Sequence, residues 1–160
     1  MKLYYVEDAY IQQLRSIDSR VPFNKQATRP YVGIVLTIGK HHYFAPLSSP
    51  KEKFLKMKPQ VDFHKIQNGT LGVLNLNNMI PVLTQYLIPI DLENTGDSLY
   101  QNLLNKQLEI LKVDKRVIQE KAQKLYQLIC DSTVQNNYMT KLKSRCVDFK
   151  RLENYISKNF

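Results

Sequence analysis

Apolar residues change their rhythm along this chain near Asp91. Before that point they fall in short runs broken by Gly, Pro and Asn; after it they recur every three or four positions. The first regime predicts strands and the second predicts amphipathic helices. Leu3 to Val6 reads as a short strand, and Asp8 caps a helix whose apolar positions are Tyr10, Ile11, Leu14 and Ile17. Residues 18–30 are polar, contain Pro22 and Pro30, and read as a loop. Tyr31 to Ile38 is the strongest strand, β-branched and almost continuously apolar. A Gly39-Lys40 turn leads into a second strand, His42 to Ala45, giving a hairpin. A short basic helix is predicted from Pro50 to Met57. A second hairpin, Val61 to Ile66 and Thr70 to Leu76, would turn at Asn68-Gly69. Segments around Pro81 and Pro89 suit sheet edges or breaks.

In the second regime, Leu99, Leu103, Leu104, Leu108 and Leu111 define one helix, with Asp97 or Ser98 at its cap. Asp114 restarts a second helix through Ile118, Ala122, Leu125, Tyr126 and Ile129. Asp148 caps a last one through Leu152, Tyr155 and Ile156. The pattern predicts an α+β fold, a compact curled antiparallel sheet followed by a helical C-terminal part. A chain of 160 residues suits one domain spanning residues 1–160.

Several classes of function drop out. No run of about 18 apolar residues exists, so no membrane helix is expected. The start meets Glu7 and Asp8 too early for a signal peptide, which predicts a cytoplasmic protein. Cys130 and Cys146 form no Cys-x-x-Cys pair and read as idle thiols. His41, His42 and His64 lack metal-ligand spacing, and neighbours on a strand point to opposite faces. Function without a metal or other cofactor is the expectation. No Gly-rich phosphate loop or nucleophile elbow suggests a metabolic enzyme.

Charge narrows the field. Net charge is +9, from 23 basic and 14 acidic residues, and it is unevenly spread. Lys51, Lys53, Lys56, Lys58 and Lys65 form one basic cluster; Lys141, Lys143, Arg145, Lys150, Arg151 and Lys158 form another. Asp91, Glu93 and Asp97 reverse the sign between them. Such clusters favour a polyanionic partner, against the alternative of a merely solvated lysine surface. The C-terminal cluster, Lys141, Lys143 and Arg145 foremost, reads as an RNA-holding surface whose affinity would fall steeply with salt. Tyr10, Tyr31 and Tyr43 lie among basic positions and could stack unpaired bases; core packing is the competing role.

One stretch carries chemistry: Tyr43-Phe44-Ala45-Pro46-Leu47-Ser48-Ser49-Pro50-Lys51. Pro46 and Pro50 fix φ on both sides of two hydroxyls, and an ammonium follows at once. Hydroxyls, backbone N–H groups and a lysine on a stiff corner suit a phosphodiester. The same residues also read as a helix start, with Ser49 as N-cap, Pro50 at N1 and Glu52 closing a capping box.

With these elements placed, the chain resembles the ToxN/AbiQ family, endoribonuclease toxins of bacterial type III toxin–antitoxin systems. The resemblance rests on Leu3-Tyr4-Tyr5-Val6 with Tyr10-Ile11, on Arg29-Pro30-Tyr31-Val32-Gly33-Ile34-Val35 and on Tyr43 to Lys51. Leu71 to Leu76, Met79-Ile80-Pro81-Val82 and Lys106-Gln107-Leu108 extend it nearly end to end. It implies an SH3-like barrel related to the Kid/MazF toxins, with added helices. It implies metal-independent cleavage of messenger RNA that leaves 2′,3′-cyclic phosphate and 5′-hydroxyl ends. Its partner would be a repeat-encoded RNA pseudoknot that the toxin trims, that inhibits it and that joins it in a cyclic assembly. Growth arrest, often as defence against phage, would be the outcome.

By the same resemblance Ser48, Ser49 and Lys51 form the catalytic turn, where relatives can place threonine first. Arg29 is the basic residue before the long strand, and Phe54 the aromatic after the turn. Lys51 and Arg29 would neutralise the developing dianion while both serines donate to its oxygens. His64, or a lysine at 51 or 53, could carry protons. Lys53, Lys56, Lys58 and Lys65 would hold RNA. Two rival readings are an RNA-binding module without catalysis and a barrel toxin aimed at a protein such as gyrase.

Overall fold

The computed structural model describes residues Met1–Phe160. The run of β-branched and apolar residues from 31 forms the central strand β2 (Tyr31–Ile38), buried along most of its length. It pairs antiparallel with β1 (Lys2–Val6) on one side and β3 (His41–Ser48) on the other. Gly39 takes a positive φ of 55° in the β2–β3 turn, a conformation glycine adopts without steric cost. β4 (His64–Lys65), β5 (Val73–Leu74), β6 (Ile80–Pro81) and β7 (Leu87–Pro89) complete the sheet. The order is β4-β5-β3-β2-β1-β7, with β6 alongside β3, and every pairing is antiparallel. The sheet is open, ending at β4 and β7.

Six helices surround it. α1 (Asp8–Ile17) follows β1, α2 (Glu52–Lys56) follows β3, and α3 (Ser98–Val113) and α4 (Lys115–Cys130) follow β7. α5 (Asn137–Arg145) and α6 (Phe149–Asn159) close the chain. Asp97 caps α3 by accepting from the N–H groups of Leu99 and Tyr100, and Asp148 caps α6 by accepting from Arg151 N. Asp114 ends α3 and starts α4 without a side-chain cap. One continuous core joins Leu3, Val32 and Tyr43 of the sheet to Leu104, Ile118, Leu142 and Leu152 of the helices. No helix is long and apolar enough to cross a membrane.

A buried carboxylate ties sheet to helices. Glu153 of α6 accepts hydrogen bonds from the hydroxyls of Tyr43 (2.7 Å) and Tyr126 (2.9 Å), and from Lys150 Nζ at 3.2 Å. Burial and this carboxylate hold the Tyr43 phenol far above its ordinary value.

Four local expectations are corrected. Ser49 does not cap a helix: β3 runs on through Ser48, paired with Val73, so α2 starts only at Glu52 with extended Lys51 at its N-cap. Asp8 lies inside the first turn of α1, where its carboxylate accepts from Gln12 and Asn24. The second hairpin is much shorter than predicted, because the backbone turns left-handed at Gln67, Asn68 and Gly69 and only two residues per strand pair. α5 has no counterpart in the apolar pattern, since few of its residues are buried; Asn136 caps it by accepting from Met139 N.

Candidate active site

The end of β3 is where the chemistry-bearing residues meet. A cleft of about 470 Å³ is lined by Ser48, Ser49 and Lys51 from the corner, and by Leu47 at its base. Lys25, Thr28, Arg29 and Pro30 come from the loop before β2, Tyr5 from β1 and Tyr100 from α3. Three cations, Lys25, Arg29 and Lys51, border it, and no carboxylate does. An opening of this sign attracts a phosphate and repels an acidic peptide.

Each wall is fixed locally. Asn24 is almost fully buried and donates from Nδ2 to Val6 O at 2.8 Å, while its backbone carbonyl accepts from Thr28 N and Arg29 N. That arrangement pins the loop that delivers Arg29, whose Nε donates to Phe23 O at 2.8 Å. Leu47 N donates to Pro30 O at 2.9 Å, stitching the loop's end to the strand of the corner. Lys25, Gln26 and Ala27 all sit at positive φ, an unusual run for residues with a Cβ.

Behind the corner, Asn75 Nδ2 donates to Ser48 Oγ at 2.8 Å and to Pro46 O at 3.2 Å. Since Asn75 occupies a lone pair of Ser48, the serine's own proton remains available for an acceptor in the cleft. Gly72, at φ +97°, packs directly beneath the Ser48 carbonyl, where any Cβ would collide. α2 spans only five residues, so the corner draws its positive character from side chains rather than from a helix dipole.

A second, smaller groove includes Asn75, the residue that holds Ser48 of the first. Lys53, Phe54, Gln60, Asp62, Asn77 and Arg145 are among its walls. No three His, Cys, Asp or Glu side chains converge in a way that could hold a metal ion.

The four residues expected at the catalytic centre, Ser48, Ser49, Lys51 and Arg29, all line one cleft. Residues expected to touch RNA fare unevenly. Lys53, Lys58 and Lys141 are exposed, and Lys56 is exposed but paired with Glu52 at 3.3 Å. Tyr10 and Tyr31 are closed inside the core, with Tyr10 donating to Pro81 O, so neither offers a ring face to a base. Phe54 is buried with Phe63 and Val73. His64 is buried and bonded through Nε2 to Asp114 at 2.9 Å, which makes it a tie between β4 and the helices rather than a proton carrier at the corner. Lys65 donates to the carbonyls of Leu55 and Met57, and Lys143 to that of Asp131. Arg145 grips buried Asp62 at 2.7 Å and Gln60 at 3.0 Å. Tyr5, Tyr100, Asn24 and Asn75 were not singled out for the site. Only the fold could bring them there, because each lies far from the corner in sequence and carries no local motif.

Comparison with known proteins identifies the family and fold. The family described as Toxin ToxN, type III toxin–antitoxin system, matches residues 2–157. Endoribonuclease ToxN from Bacillus thuringiensis subsp. kurstaki is 38% identical over 159 residues, covering 95% of this chain and 80% of that protein. A solved type III toxin described as selectively inhibited by a non-coding RNA pseudoknot superposes with a TM-score of 0.83 at 33% identity, covering 98% of this chain and 96% of that one. The structure of AbiQ, a lactococcal anti-phage endoribonuclease, superposes with a TM-score of 0.80 at 28% identity, covering 98% and 95%. With a family match across nearly its whole length and a fold to fit, the chain belongs to the ToxN family of type III toxin–antitoxin toxins.

Proposed function

We propose that the protein is a metal-independent, sequence-selective endoribonuclease toxin acting at the Ser48–Lys51 corner. The observation that carries the reading is the convergence of Ser48, Ser49, Lys51 and Arg29 on one cleft bordered by cations alone. In the reaction, a ribose 2′-hydroxyl gives up its proton as its oxygen attacks the adjacent phosphorus. The bond to the 5′-oxygen breaks as that oxygen takes up a proton. A 2′,3′-cyclic phosphate remains on one fragment and a 5′-hydroxyl on the other. Lys51 and Arg29 neutralise charge on the phosphorane, while Ser48 and Ser49 donate to its non-bridging oxygens. Loss of one preorganised donor of this kind costs about 10²–10³ in rate. Holding the strand in line for attack supplies a further share.

On this reading a single domain, built on a sheet akin to the Kid/MazF barrel, cuts cellular messenger RNA in the cytoplasm. It is restrained by a repeat-derived RNA pseudoknot that it trims itself, in a cyclic toxin–RNA assembly, and its release arrests growth during phage attack. The groove of Lys53 and Arg145, lined also by the Asn75 that holds Ser48, supports a path for RNA beyond the scissile bond.

The deciding experiment incubates purified protein with RNA in the presence of a chelator and maps the new ends. Cleavage with 5′-hydroxyl ends is expected, and folded Lys51→Ala and Ser49→Ala proteins should lack it. Wild-type cleavage by folded Lys51→Ala, or cleavage that requires added metal, would overturn the mechanism. Binding without any cleavage would favour an RNA-binding module.

A further inference from the structure

Two tyrosines in the cleft stand apart from the others in the chain. Of the ten tyrosines only Tyr5 and Tyr100 line the cleft, both half-buried; Tyr10, Tyr31 and Tyr43 are closed in the core, and Tyr4, Tyr86 and Tyr155 are half-buried elsewhere. The strand register explains the position of Tyr5. Tyr4 pairs with Tyr31, Tyr31 with Pro46, and Leu47 N bonds to Pro30 O, so Tyr5, Pro30 and Leu47 form one cross-strand row. Cross-strand neighbours share a face, and two strand spacings place Tyr5 about 10 Å from Leu47 and the corner beyond it. Tyr100 is set by the cap of α3, its N–H donating to Asp97 Oδ1 at 3.1 Å. Burial, and secondarily the neighbouring Tyr5, pushes the Tyr100 phenol up to about 12.

The cleft thus combines cations and hydroxyls at the corner with two half-buried aromatic side chains, Tyr5 and Tyr100, in its lining. A phosphate needs the first and has no use for the second. A nucleotide spans both, because its base projects sideways from the backbone. Proteins that read single-stranded RNA splay bases out, stack them on aromatic rings and bond their edges.

We propose that Tyr5 and Tyr100 form a base-holding subsite that receives one unpaired nucleotide beside the phosphate gripped at Ser48, Ser49 and Lys51. This deepens the ribonuclease reading and rests on it. The two tyrosines are specificity and positioning residues: the rings capture the base, and the phenols test its edge. Cleavage is thereby confined to strands that can swing a base out of its stack.

The test scans a cleavable RNA oligonucleotide with a single abasic nucleotide moved through the positions flanking the cut. With wild-type protein, kcat/KM should fall roughly 5- to 150-fold at one position and far less elsewhere, the loss expected for one stacked base. Tyr100→Ala should lose a comparable factor on intact RNA and become indifferent to the abasic nucleotide at that position. Tyr5→Phe, which keeps the ring and loses the phenol, should change the preferred base at that position. A flat abasic scan, or equal losses by Tyr100→Ala on intact and abasic RNA, overturns the subsite. If the scan is flat while Lys51→Ala still abolishes cutting, the subsite alone fails; if the wild-type protein cuts no RNA, the ribonuclease reading fails with it.

Discussion

Asn75 holds Ser48 from behind: its Nδ2 donates to the serine Oγ at 2.8 Å, from the far side of the β3–β5 pairing. This hydrogen bond orients the hydroxyl without consuming its proton. Asn75→Ala should therefore lower the cleavage rate about tenfold, for loss of roughly 1 kcal/mol of positioning, while barely moving the melting temperature. Asn75→Asp should be worse, because it replaces the donor with a negative charge behind a phosphate site. Single-turnover rates on a labelled RNA, paired with thermal melts, separate the two effects.

Gly72 is the other support beneath the corner. A Cβ there would meet the Ser48 carbonyl, and its φ of +97° disfavours any side chain. Gly72→Ala should push Ser48 and Ser49 out of place. Activity should fall on the order of 100-fold, since small misplacements at a reacting centre cost that much. The loss should exceed what the drop in stability alone produces, as read from activity well below the melting point.

Glu153 tests the core. Glu153→Ala would leave the buried hydroxyls of Tyr43 and Tyr126 without their acceptor. Destabilisation of roughly 2–5 kcal/mol is expected, or about 5–20 °C in melting temperature. Glu153→Gln keeps an acceptor and should cost less. Equal melting temperatures for wild type and Glu153→Ala would contradict this account.

Stability should also depend on acid in a defined direction. Burial raises the Asp18 carboxyl, but hydrogen bonds from the Arg20 side chain and from Asp148 N outweigh it and hold the group below its ordinary value. The contribution of a depressed carboxyl is complete above the unfolded value of about 3.9 and is lost as pH falls through the folded value. Urea midpoints should show Asp18→Asn less stable than wild type at neutral pH. The gap should close on acidification below that range.

Sequence legibility followed locality. Tyr31 to Ile38 announced β2 because a strand buried on both faces needs apolar residues at nearly every position. The caps at Asp97 and Asp148 were readable because a cap acts within three residues. The corner at Ser48–Lys51 was readable because its prolines, hydroxyls and lysine are adjacent. Tyr5, Tyr100 and Asn75 were not, since they reach the corner through strand register and helix placement. Tyr10 and Tyr31 misled for the converse reason: a tyrosine near lysines in sequence can still face the core, as both do.

The hydrogen bond between Tyr43 and Glu153 spans 110 positions of chain. Tyr43 lies on β3, which ends at the Ser48–Lys51 corner, and Glu153 lies on α6. Until α6 docks, the Tyr43 hydroxyl lacks the acceptor it needs in the buried core. The strand that carries the corner is therefore anchored only once the C-terminal helix has packed against it.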